Sequence, residues 1–266
     1  MSRVRPATVA GSFYPGEAPV LAAAVASYIS EAKPSGARLP KAIIAPHAGY
    51  IYSGPIAASI YARLVPLRGR IRRVVLAGPA HRVYVAGIAV PSTAAFDSPL
   101  GEVPLDRQAI DSLRAFPFVE PSDRAHAHEH SLEVHIPFLQ SVLGAFSLVP
   151  LVVGDAAPGE MAQVLDALWG GDETLIVVSS DLSHYLPYGE AQARDRDTAE
   201  AIHALEATVQ PEEACGAAPI NGLLRTARAR GMACEIVDVR NSGDTAGDRA
   251  RVVGYGSFAF TEAAHG

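Results

Sequence analysis

Two cysteines, Cys215 and Cys234, are all that the 266 residues contain, and they form no CxxC pair. No disulfide framework can be built from them, and a reducing, cytoplasmic setting is the expectation. Positive charge is also short. Lys and Arg number 22 against 28 acids, for a net charge of -6, and no basic cluster interleaves with aromatics. That excludes the electrostatic footprint of a nucleic-acid partner. Unbroken apolar runs are missing as well. Residues 42–62 carry no Asp, Glu, Lys or Arg, yet Pro46, Gly49, Gly54 and Pro55 interrupt them. Residues 18–29 are apolar but follow Phe13, Tyr14, Pro15 and Glu17 rather than a basic leader. Neither stretch is expected to cross a membrane or act as a signal peptide. With no repeat, heptad, low-complexity tract or long linker, a single domain over 1–266 is expected.

What is present is 49% hydrophobic residues, ample for a core, arranged in alternating segments. Short apolar runs at 42–45, 72–77, 87–90, 147–153, 174–179, 235–239 and 252–260 read as strands. Helical spacing marks 18–31, 55–64, 106–115, 131–143, 159–169, 189–208 and 219–228, with Asp106 near a cap. A Pro/Gly linker is read at 33–40. This alternation predicts an α/β fold, a three-layer α/β/α sandwich around a mixed, largely parallel sheet.

The stretch KAIIAPHAGYIYSG organises the chain, because its strand ends at Pro46 and delivers His47 onto a glycine-bearing turn. Three other strands end in chemistry too: RRVVLAGPAH in His81, a third run in Asp181 and His184, a fourth in Asp244. The carboxyl edge of an open α/β sheet is where ligands bind, so one rim can bring distant imidazoles and carboxylates to one ion. On that pattern His47 and His81 are metal ligands, while Asp181 and Asp244 compete for the carboxylate position or simply cap turns. The tract AHAHEHSLEVHIPF adds His126, His128, His130 and His135. A short His-rich tract can bind metal by itself and is a rival site, but it lacks the i, i+4 pair of a helical zinc motif. Glu129, His130 and His135 are therefore assigned to the pocket wall or to places behind the ligands, where a carboxylate can orient a ligand imidazole. His203 and His265 read as surface residues.

The segments RPATVAGSFYP, PHAGYIYSG, GPAHR, EHSLEVHIPFLQ, SSDLSHY, CGAAPING, NSGD and VVGYGSFAF follow in order over nearly the whole chain. They resemble the Memo family, also called AmmeMemoRadiSam system protein B. The resemblance implies a fold like that of the LigB-type class III extradiol dioxygenases, non-haem iron enzymes that open catechol rings. It implies His47, His81 and Asp244 as ligands of Fe(II), with zinc or copper as alternatives, and places His184 as the acid/base residue with Asp181 orienting it. Animal members carry cysteine where this chain is matched at Asp244, and Cys215 and Cys234 stand at other positions. Association with an AmmeMemoRadiSam protein A and a radical SAM enzyme is also implied. Tyr50, Tyr52 and Tyr185 are expected at the rim, facing those partners or an aromatic small-molecule substrate. The expected function is a metal-binding, dioxygenase-like oxidoreductase. A zinc-dependent hydrolase and a non-catalytic metal- or partner-binding protein stay open beside it.

Overall fold

The computed structural model describes residues 4–33 and 38–262. Residues 34–37 of the 33–40 linker and His265 lie outside them. The first half of the chain runs β1 (Val4–Arg5), α1 (Ala18–Glu31), β2 (Ala42–Ala45), α2 (Tyr50–Tyr61), β3 (Arg73–Pro79), β4 (Ile88–Val90), β5 (Ala95–Phe96) and β6 (Val103–Pro104). It continues through α3 (Arg107–Ser112), β7 (Val119–Pro121), α4 (Asp123–Ala127), α5 (His130–Glu133), α6 (Ile136–Leu143) and β8 (Ser147–Val153). The last third holds α7 (Pro158–Leu168), β9 (Thr174–Ser179), β10 (Asp181–Leu186), α8 (Tyr188–His203), α9 (Ala217–Ala229), β11 (Met232–Asn241) and β12 (Val252–Glu262).

The main sheet has the order β10-β12-β2-β9-β3-β8-β4-β7, with β11 also paired to β12. Its centre, β2, β9, β3 and β8, is parallel, and antiparallel pairs join it to β12 and β4. Helices α1, α2 and α6 pack together as one layer and α7 with α9 as another. The sandwich is therefore the mixed, largely parallel α/β fold that the alternation predicts. Its central strands read as continuous apolar runs because both faces are covered: β2 and β9 are buried throughout. Each fully buried Val, Leu or Ile there stabilises the fold by about 1.5–3 kcal/mol.

Two elements differ from expectation in ways that reach the site. Helix α2 starts at Tyr50 and runs through Pro55. Gly54 is not a turn residue, since a β-carbon there would lie 2.9 Å from the Tyr28 ring; it lets α1 and α2 approach closely. The helix read over 131–143 is split into α5 and α6, with Pro137 in the first turn of α6, where its missing N–H costs no bond.

Candidate metal centre

Because β2, β9 and β3 are parallel neighbours, their carboxyl ends open on one edge and deliver His47, Ser179 with Asp181, and His81 side by side. A fourth residue joins them from outside the sheet. Glu129 caps α5 by accepting from Ser131 N at 3.0 Å, and this turns His130 over His81, the two rings stacking at 4.7 Å. One donor atom from each of His47, His81 and His130 lies within 4.8 Å of the other two. The ring of His47 meets those of His81 and His130 edge-on at 5.2 and 5.5 Å.

Hydrogen bonding decides which nitrogens are free. Ser179 Oγ donates its one proton to Ser131 O at 2.6 Å. It can then only accept from His47 Nδ1, at 2.6 Å, and from His135 Nε2, at 2.8 Å. His47 therefore carries its proton on Nδ1 and presents a bare Nε2. His135, fully engaged, accepts from Tyr61 Oη through Nδ1 at 2.8 Å. Likewise Glu129 accepts from His81 N at 2.6 Å and from His81 Nδ1 at 2.9 Å, leaving the His81 Nε2 lone pair available. This is the outer-sphere arrangement that orients metal-binding imidazoles.

Charge states agree with that geometry. Burial, reinforced by the neighbouring imidazoles, pushes the His47 pKa well below its ordinary 6.5. Burial likewise lowers His130 to about 4. Burial alone would raise the Glu129 carboxyl, but the hydrogen bonds from His81 and Ser131 hold it at about 2. At neutral pH His47 and His130 are therefore neutral imidazoles beside an ionised Glu129, which is the donor state a transition metal requires of them.

Strand β10 shapes the opposite wall. Asp181 and His184 have opposite parity along the strand, yet both line one cavity, because the register with β12 shifts between them. Tyr185 follows in the left-handed region, φ 60°, with its ring exposed beneath the Arg251 guanidinium at 5.1 Å. Asp181 Oδ1 accepts from His47 N at 2.7 Å, and Oδ2 lies 4.0 Å from His47 Nε2. Burial raises the Asp181 carboxyl to about 7. The cavity is about 810 Å³, with Phe13, Tyr52 and Tyr255 among its apolar walls.

Cys215 is the residue that sequence reasoning set aside. Its Sγ lies 3.4 Å from His47 Nε2 and 3.4 Å from Asp181 N. It reaches there because Gly216 sits against the end of β9: a β-carbon at 216 would be 2.6 Å from Ser179 O. Burial pushes the thiol to about 12, and the Asp181 charge adds to the shift. The CGAAPING segment already showed a cysteine beside a glycine before a helix, but nothing in it announced the close approach.

Several expected site residues lie elsewhere. Asp244 is not brought to the imidazoles. It closes a short 3-10 turn, with Oδ2 accepting from Asn241 N at 3.0 Å and Oδ1 from Tyr188 Oη at 2.5 Å, and it faces a separate cavity between α8 and β11. Tyr50 is buried, not at the rim, because it lies within α2; its hydroxyl donates to Val134 O at 2.7 Å and its ring packs on Phe138. His135 does not line the cavity but stands behind Ser179, which it shares with His47, in the supporting place that is the other expectation for it. Of the other histidines in the tract, α4 turns His126 inward to Ala89 O and His128 borders another cavity. His203 is exposed, as expected.

An open-edged α/β sandwich with an imidazole cluster at the carboxyl ends of its parallel strands is thus what the chain builds. The Memo-like protein family profile matches residues 5–259. A MEMO1 family protein of Aquifex aeolicus is 36% identical over 95% of this chain and 97% of its own length. One from Archaeoglobus fulgidus is 33% identical over 95% and 97%. A solved structure of an uncharacterized protein from Escherichia coli K12 shares the fold, with a TM-score of 0.52 at 18% identity over 82% of this chain and 99% of that one. The chain belongs to the Memo-like family. Among the described residues no helix is long and apolar enough to cross a membrane.

Proposed function

We propose that this protein is a metal-dependent oxidoreductase that holds non-haem Fe(II) through His47, His81 and His130 and acts on a small aromatic molecule. The observation that carries this reading is the convergence of three imidazole donors within 4.8 Å. The residues fit a cation: two of the rings have their outward nitrogens already committed to Ser179 and Glu129, and His130 Nδ1, 3.4 Å from Glu129 Oε1, makes no hydrogen bond among the described residues. A bound Fe(II) would supply electron transfer and Lewis acidity. The chain supplies the rest. Phe13, Tyr52 and Tyr185 offer ring faces that would hold an aromatic substrate and keep bulk water from it. His184 lines the same cavity and would move a proton at the substrate, while Asp181, poised near neutrality, would take or return one.

One observation favours a second reading of the metal. The Cys215 thiol beside His47 is a soft donor, and a thiolate there would select zinc or copper over iron. Anaerobic purification, elemental analysis and reconstitution with Fe(II) or Zn(II), followed by oxygen-electrode assays over catechols, test both. Stoichiometric iron with oxygen uptake, both lost in His47→Ala, is expected. Tight zinc with ester hydrolysis and no oxygen uptake would replace the oxidoreductase by a hydrolase.

A further inference from the structure

A second concavity, of about 700 Å³, shares a wall with the imidazole cavity through Arg82, the residue after His81. Thr8, Val9, Arg82, Arg124 and His128 are among the residues that border it, and among the described residues no carboxylate does. Both arginines are exposed to solvent, and in a chain with net charge -6 they give this concavity a local positive character next to the imidazole cavity. Neither Arg82 nor Arg124 hydrogen-bonds or ion-pairs with any described residue. The nearby acids are engaged by other groups. Asp123 accepts from Ser92 N and Oγ at 2.6 and 2.5 Å, Glu129 from His81, and Glu133 from Arg5 at 2.6 Å.

The walls are also held in place. Arg5, buried, donates to His126 O at 2.7 Å and to Glu129 O at 2.8 Å while pairing with the buried Glu133. Glu133 in turn accepts from Thr8 N and Val9 N at 2.9 Å. One buried clamp thus fixes the segment carrying Thr8 and Val9 against the segment carrying Arg124 and His128, so the backbone of the walls is already in place and only the two arginine side chains are ordered when the cavity fills.

We propose that this cavity is an oxyanion subsite, taking the carboxylate or phosphate group of the substrate between Arg82 and Arg124 while the remainder of the molecule extends past Arg82 to the imidazoles. Planar guanidinium forks match both oxyanions, and in the first cavity the Arg251 guanidinium shares the lining with the Asp181 and Asp248 carboxyls, which the second cavity lacks among its described residues. The placement of the reacting end rests on the metal-centre reading; oxyanion binding itself does not.

Inorganic phosphate and acetate, titrated separately into the chelator-treated full-length protein at low salt and followed by calorimetry, test the subsite. Saturable binding of at least one is expected, and which one distinguishes a phosphate-bearing from a carboxylate-bearing substrate. Arg82→Gln and Arg124→Gln should each weaken it about tenfold or more, as loss of a charge-assisted bond does. Arg196→Gln, at the α8 cavity, should leave it unchanged. Thermal melts of both variants check folding, and their iron content should match wild type. No saturable binding of either anion, or wild-type affinity in both variants, overturns the subsite. Wild-type protein that binds phosphate but no metal would overturn the metal reading while leaving the subsite standing.

Discussion

At the scale of single residues, the site depends on groups that never touch an ion. Glu129 holds His81 by both its backbone and ring nitrogens, so Glu129→Gln, which can accept one of those bonds through its single amide oxygen, should lower metal affinity about 10- to 100-fold. Competition titration against a chromophoric chelator reads this directly; wild-type affinity in the variant would mean that His81 needs no orienting partner. The same measurement separates the two residues that contend for the position beside His47 and His81. Asp244 spends both oxygens on Asn241 and Tyr188, so Asp244→Ala should retain metal and cost about 1 kcal/mol of stability through the lost turn cap. Cys215→Ser removes the soft donor next to His47 Nε2 and should shift preference from zinc or copper towards iron. Iron loss in Asp244→Ala with no change in Cys215→Ser would reverse that assignment.

At the scale of elements, close approaches of backbone decide which side chains meet. Gly216→Ala would press a β-carbon onto Ser179 O and Ser180, pushing the start of α9, and Cys215 with it, off the end of β9. We expect a loss of about 1–3 kcal/mol, as in other overpacked sites, together with altered metal preference. Gly54→Ala, which crowds Tyr28 between α1 and α2, should destabilise comparably and leave metal binding unchanged. Urea denaturation and metal titration of both variants test the pair; equal effects on metal would show that global loosening, not the position of α9, is responsible. The same contrast explains what was legible in the chain. Strands β2, β3, β8 and β9 announce themselves because both faces are buried, and their ends name His47 and His81. Strand β10 does not, since SSDLSHY is polar where it borders the cavity. Strands β1, β5 and β6, at two residues each, are too short to show a period. His130 and Cys215 join the site through a capped turn and a missing β-carbon, neither of which leaves a periodic trace.

At the scale of the whole molecule, the buried histidines make stability depend on pH. Burial lowers His126 and His130 from 6.5 to about 4 and His135 to about 3, and lowers His47 as well; His184 shifts the same way but is exposed, so solvent screens its contribution. Each folded pKa lies below its unfolded value, so the unfolded chain binds more protons on acidification. The corresponding stability is present above pH 6.5 and is lost as pH falls towards 4 and 3, at up to about 1.4 kcal/mol per pH unit for each imidazole. Asp181 works in the opposite sense. Its carboxyl is raised from 3.8 to about 7, so the folded state takes up a proton first and gains stability as pH falls through that window; burial raises Asp195 in the same direction. Two carboxylates cannot offset the four imidazoles His47, His126, His130 and His135. Below pH 4.5 the lowered Glu129 and Glu133 add to the loss. Chelator-treated protein should therefore show a melting temperature that falls continuously from pH 7 to pH 4. The metal-loaded form should fall more steeply over the same interval, because protons displace the ion from the cluster before they unfold the chain. Differential scanning calorimetry of both forms at half-unit pH steps decides it. A flat profile between pH 7 and 4 in the metal-free protein would mean that the cluster is already protonated when folded, and with it would go the neutral donor set on which metal binding depends.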